Sequence, residues 1–208
     1  EDRVDLDGHD VPALVSTLRT LRGQPASDGA GVKLTRVIGS PQLPDLDPFL
    51  MLDEFGTDRP EDYLAGFPEH PHRGFETVTY MLEGYMEHRD HMQNVGKLGP
   101  GDVQWMKAGS GVIHSEMPQQ EEGRMRGFQL WVNLPASEKM REPRYQERTA
   151  GEIPVEVHDN GTRIKVIAGK TRQGTEGVID NPYVNPLYLH VSLPTNTGFE
   201  QTVPESDN

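Results

Sequence analysis

With 208 residues, the chain has room for one ordinary domain or two small ones. A formal net charge of −13, with no run of Lys or Arg to make a local basic patch, argues against direct nucleic-acid binding, and the absence of cysteine excludes disulfides, thiolate ligands and thiol catalysis. No stretch approaches the roughly 18 consecutive apolar residues of a membrane-spanning helix, and no signal-peptide pattern is present, so the sequence reads as a cytoplasmic protein without a membrane partner.

In chain order, the polar start EDRVDLDGHD leads into a short amphipathic helix expected over residues 10–23. Asp10 caps it, Pro12 is tolerated in its first turn, Leu14, Leu18 and Leu21 share one face, and Gly23 stops it. GQPASDGAG reads as a linker by composition. From Val32 the texture becomes that of strands. VKLTRVIG comes first, then a turn and an apolar run in LPDLDPFLMLDEF. FETVTYMLEG alternates with period two, with Val78, Tyr80 and Leu82 on one face and Thr77, Thr79 and Met81 on the other, and it ends in a Glu83-Gly84 turn. VGKLGPGDVQWM turns at Gly99-Pro100-Gly101, and RGFQLWVNLP is another alternating strand. PVEVH, RIKVIAGK and PLYLHVSL complete the series. With 22 Gly, 17 Pro and almost no helix signal between residues 30 and 135, the expected class is all-β, a closed antiparallel barrel or jelly roll.

The chemistry lies in two short spacings. His70 and His72 are two apart in GFPEHPHRGFETVTY, and His114 and Glu116 repeat the spacing in GSGVIHSEMP. On an extended chain, residues i and i+2 project from one face. Two such pairs on neighbouring strands bring three imidazoles and one carboxylate to a single point, a mixed nitrogen and oxygen set suited to Fe, Mn, Co, Ni, Cu or Zn. The remaining histidines read as structural. His88 and His91, in MEHRDHM, are assigned to an exposed charged hairpin, so that replacing His88 leaves metal binding unchanged. His158 stands by a DNG turn, His190 in a strand, and His9 in the polar tail. Glu121-Glu122 reads as a solvated loop.

GFPEHPHRGFETVTYMLEG, then GDVQWMKAGSGVIHSEMP, FQLWVNLP and SEKMREPRYQE, closely resemble the pirin family of the cupin superfamily over roughly residues 32–170. The resemblance implies a bicupin, two cupin jelly-roll β-barrels face to face, with one metal held in the first by His70, His72, His114 and Glu116. Many other cupins take their carboxylate from just after the HxH pair, where this chain has Glu76. The pirin pattern favours Glu116 and leaves Glu76 a supporting or structural role. The expected division is an N-terminal tail with a short helix (1–31), a metal-binding barrel (32–135), and a linker with a partial second barrel (136–208). Pirins usually open with a strand where this chain has a helix-like segment. The second barrel carries no HxH and stops after few strands, so a longer encoded protein or a cleaved one is expected.

As a bacterial pirin the chain would be a dioxygenase of the quercetinase type. It would open the heterocycle of a flavonol or related phenolic with dioxygen and release carbon monoxide. Fe(II) is the first choice of divalent metal, and Glu116 is ligand and general base together. The alternative implied by eukaryotic pirins is a non-enzymatic, iron-binding redox sensor or transcriptional co-regulator acting through a protein partner.

Overall fold

The computed structural model describes residues 20–203. The helix expected over residues 10–23 falls outside them except for 20–23, which are irregular. The first strand is β1 (Gln24–Asp28), inside the segment whose composition reads as a linker. It pairs along its whole length with β2 (Val32–Ile38) as the edge of a sheet. An edge tolerates Pro25, because a strand with one free side needs no amide donor at every residue.

Seven strands form the larger sheet in the order β1, β2, β3 (Phe49–Thr57), β10 (Met125–Asn133), β5 (Phe75–Glu83), β8 (Val103–Lys107) and β11 (Arg144–Arg148). The smaller sheet has four, β4 (Phe67–His72), β9 (Val112–Pro118), β6 (Met86–Asp90) and β7 (Val95–Leu98). The two sheets close face to face. Leu34, Phe55, Met81 and Met125 from the larger meet Met86 and Leu98 from the smaller in one buried cluster. A third sheet of β12 (Val155–Val157), β13 (Arg163–Ala168) and β14 (Tyr188–Ser192) follows. The expected all-β architecture is thus found, a jelly-roll barrel followed by strands of a second β unit. Among the described residues no helix is long and apolar enough to cross a membrane.

Alternation on the larger sheet gives it two different faces. Val78, Tyr80, Val103, Trp105, Leu130 and Val132 point outward and bury against Ile153, Ile167, Ala168 and Ile179 of the later segment. The intervening residues of β5 and β10 point into the barrel. Central strand β5 is therefore covered on both sides, so Glu76 through Met81 are all buried.

Ile167 is fully buried in the outer cluster. Ile167→Ala is expected to cost about 2–5 kcal/mol in denaturant unfolding, with metal content unchanged because the barrel interior lies on the opposite face of β5. Unaltered stability in this variant would contradict the packing of the later segment on the barrel.

Candidate metal centre

Strands β4 and β9 run antiparallel, with His70 directly opposite His114 and His72 opposite Val112. Two-residue periodicity then puts all three imidazoles on the inner face of the small sheet. Between Phe67 and His70 the register slips, because β4 carries one residue more than β9. Pro68 sits in this bulge, where a missing amide proton costs no ladder bond. The freed Pro68 carbonyl accepts a hydrogen bond from His70 Nδ1 at 2.8 Å. The bulge thereby fixes the proton on Nδ1 and leaves the lone pair of His70 on Nε2.

That lone pair faces Nε2 of His114 at 3.0 Å. Nε2 of His72 is also buried and has no hydrogen-bond partner. Ligand atoms of His70, His72 and His114 all lie within 4.8 Å of one another. Two imidazole nitrogens about 2.1 Å from one cation, at right angles to each other, stand about 3 Å apart, so the observed spacing fits a shared divalent metal. The orphaned Nε2 of His72 supports the same reading, since an unpartnered buried polar atom otherwise costs about 1–3 kcal/mol.

Glu116 stands outside this trio of imidazoles but lines the same cavity. The Thr79 hydroxyl, whose one proton is shared between Gln129 Oε1 at 2.6 Å and Glu116 Oε1 at 2.9 Å, touches the carboxylate on one side, and Gln129 Nε2 donates to its Oε2 at 3.4 Å. Thr79 and Gln129 are partners across β5 and β10 of the opposite sheet, so the carboxylate is held between the two layers. The cavity has a volume of about 530 Å³, within the range of small-molecule sites. Phe55, Phe67, Phe75 and Trp131 give it aromatic walls. Trp131 packs its ring 5.2 Å from that of His72, and its indole N–H is buried without a partner. At one side Arg36 neutralises Asp53 through two hydrogen bonds of 2.7 and 2.8 Å.

Glu76 is placed elsewhere. The chain turns at Gly74, whose φ of 81° is a conformation open to glycine, and β5 starts a new alternation beyond it. The parity that Glu76 shares with His72 in sequence therefore does not carry across the turn. Its carboxylate points to the outer face, where Trp105 Nε1 and Asn181 Nδ2 donate to Oε2 at 2.8 and 2.5 Å. Burial raises its pKa against those two bonds. Glu76 is a structural tie between the barrel and the following segment. The SEKMREPRYQE stretch braces the same turn, since Lys139 Nζ donates to the Gly74 carbonyl at 2.9 Å and Glu138 pairs with Lys107 at 2.7 Å.

His88 corrects the sequence reading. It is 1% exposed, not part of a solvated hairpin. Strand β6 lies on the far side of β9, with His88 opposite Glu116 and Asp90 opposite His114, which turns His88 into the barrel. Its Nδ1 is 3.0 Å from Nδ1 of His114. A charged flank and a neighbouring, exposed His91 mask this in the sequence; the only available signal is that His88 shares strand parity with the buried Met86. His91 keeps its expected place at the surface, where its Nδ1 accepts from the Ile113 amide.

Burial, reinforced by the neighbouring His114 and His70, pushes the His72 imidazole down to about 3. Burial, together with His88 and His70, does the same to His114. Both rings are therefore neutral near pH 7, the form in which imidazole binds a metal.

A sequence profile described as Pirin matches residues 31–132. The chain is 58% identical to a "Pirin-like protein" of Caulobacter vibrioides, over 92% of this chain and 69% of that protein. It is 53% identical to a Pseudomonas aeruginosa protein named "Putative quercetin 2,3-dioxygenase", over 88% of this chain and 65% of that one. Among solved structures, one titled quercetin 2,3-dioxygenase from Acinetobacter baumannii superposes with a TM-score of 0.69 at 34% identity, covering 77% of this chain and 58% of that chain. The chain thus spans 58–69% of the length of these three relatives.

Two outcomes follow from this geometry. His72→Ala is expected to lose most bound metal with the fold retained, while Glu76→Gln keeps its metal; metal analysis of the two purified variants separates them. In the metal-free protein, the folded-state pKa of His72 and His114 lies below the ordinary 6.5, so the unfolded chain takes up protons first as pH falls. Stability that is complete above pH 6.5 is then lost progressively toward pH 3, by at most about 1.4 kcal/mol per pH unit for each ring. Thermal midpoints of chelator-treated protein should drop between pH 7 and pH 5, and drop less in His72→Leu. An equal drop in both proteins would remove His72 from this account.

Proposed function

The chain belongs to the pirin family, and from its site we propose a metal-dependent dioxygenase that cleaves a flavonol or related phenolic with dioxygen. In this reading His70, His72, His114 and Glu116 hold one divalent metal and Glu116 is the base. The observation that carries it is the convergence of three imidazole nitrogens on one point in an aromatic-walled cavity. The relatives named for quercetin 2,3-dioxygenase supply the substrate class. Three imidazoles with one carboxylate would hold a divalent transition metal, and Fe(II) is the metal we assign. When bound, such a cation supplies Lewis acidity that lowers the pKa of a hydroxyl placed against it.

The residues of the chain do the rest. Phe75 and Trp131, with ring centres 4.7 Å apart, form a wall on which a planar flavonol can lie. The unpartnered indole N–H of Trp131 is a donor for one of its oxygens. Glu116 takes the proton of the 3-hydroxyl on a carboxylate oxygen, and Thr79 and Gln129 keep that carboxylate aimed at the cavity. Loss of the proton makes the ring system electron-rich enough to react with dioxygen. Flavonol and dioxygen then give a phenolic ester and carbon monoxide.

Glu116→Gln keeps the shape and an oxygen but removes charge and base. In protein reconstituted with Fe(II), its quercetin-dependent oxygen uptake is expected to fall by about 10²-fold or more. Wild-type turnover in that variant would refute the role of Glu116. Absence of flavonol-dependent oxygen uptake in fully loaded wild-type protein would refute the substrate class.

A further inference from the structure

Behind His114 runs a line of hydrogen bonds that reaches the protein surface. Its far end is Asp90 at the end of β6. The amides of Met92 and Asn94 donate to its Oδ1, each at 2.9 Å, and Asn94 Nδ2 donates to Oδ2 at 2.8 Å. The Tyr145 hydroxyl adds a fourth donor, to Oδ2 at 2.7 Å. A carboxylate surrounded by donors has no proton to offer, so the single phenolic proton of Tyr145 is committed to Asp90. The lone pairs of that oxygen are then the acceptor for His88 Nε2 at 3.1 Å, which places the proton of His88 on Nε2 and its lone pair on Nδ1. Facing that lone pair at 3.0 Å is Nδ1 of His114, which must be the donor. The lone pair of His114 is left on Nε2, on the side of His70 and His72.

We infer that His88, Tyr145 and Asp90 form a positioning relay that locks His114 in its Nδ1–H tautomer and tightens metal binding. The inference rests on the metal reading above. The partners come from separate parts of the chain: His88 and Asp90 from the small sheet, Tyr145 from the edge strand β11 of the large one. The His88 and His114 rings pack 4.7 Å apart, so the relay also fixes the ring plane. An anionic carboxylate at the far end polarises each bond toward His114 and makes its Nε2 a stronger donor to a cation. Loss of such supporting hydrogen bonds typically costs 10–100-fold in metal affinity.

The test uses Zn(II) as probe, titrated against a competing chelator, with thermal melts to confirm folding. His88→Leu fills the space without an acceptor and is expected to weaken Zn(II) binding about 10–100-fold. His88→Asn sets an amide oxygen near the place of Nδ1 and should recover most of that loss, which filling of space alone cannot do. Tyr145→Phe, a milder cut between His88 and the carboxylate, should weaken binding several-fold. In the Zn(II)-loaded wild type, imidazole nitrogen NMR should show the His114 proton on Nδ1. Folded His88→Leu with wild-type affinity, or no recovery in folded His88→Asn, would overturn the relay. Failure of the wild-type protein itself to bind Zn(II) would instead overturn the metal reading on which it stands.

Discussion

Two imidazole nitrogens held 3.0 Å apart, Nε2 of His70 and Nε2 of His114, are the constraint around which the barrel interior is arranged. Beside them the buried Nε2 of His72 has no hydrogen-bond partner. The backbone holds them there. Direct pairing of His70 with His114 across β4 and β9 sets the separation, and the Pro68 bulge supplies the carbonyl that fixes the proton of His70. The Gly74 turn, held by Lys139, follows two residues after β4 ends at His72. A site made this way stores a cost in the metal-free chain that a bound cation relieves, so folding and metal affinity draw on the same geometry.

The opposite sheet contributes through its two faces. Residues one apart on β5 serve different ends: Thr79 reaches inward to Glu116, while Val78 and Tyr80 point outward into the apolar layer shared with Ile153, Ile167 and Ile179. The polar groups around the cavity are therefore mounted on a strand that is rigidly covered from behind. This backing limits the freedom of Thr79 and Gln129, and with them the direction in which the Glu116 carboxylate points. Glu76 belongs to the covered side and joins the two layers through Trp105 and Asn181.

The sequence showed most of this wherever the information was local. HxH and HxE announce a shared face because strand periodicity is two, and alternation in FETVTYMLEG reveals a strand without any partner being known. Contributions that depend on the return of the chain were hidden. Nothing near His88 indicates that β6 lies beside β9, and Tyr145 is 57 residues away from it in sequence. Its charged neighbours Glu87 and Arg89 made the stretch look solvated. β1 was masked by its Pro and Ser content and the glycines on either side, since an edge strand needs few strong strand formers. Glu76 shares parity with His72 only when counted across a glycine turn that resets it.

X-ray absorption at the metal edge, on protein loaded with one equivalent of divalent metal, tests the central claim most directly. The account predicts a shell of nitrogen and oxygen donors only, with outer-shell scattering from three imidazoles that falls to two in His72→Ala. A shell with one imidazole or none, or one that His72→Ala leaves unchanged, would contradict it.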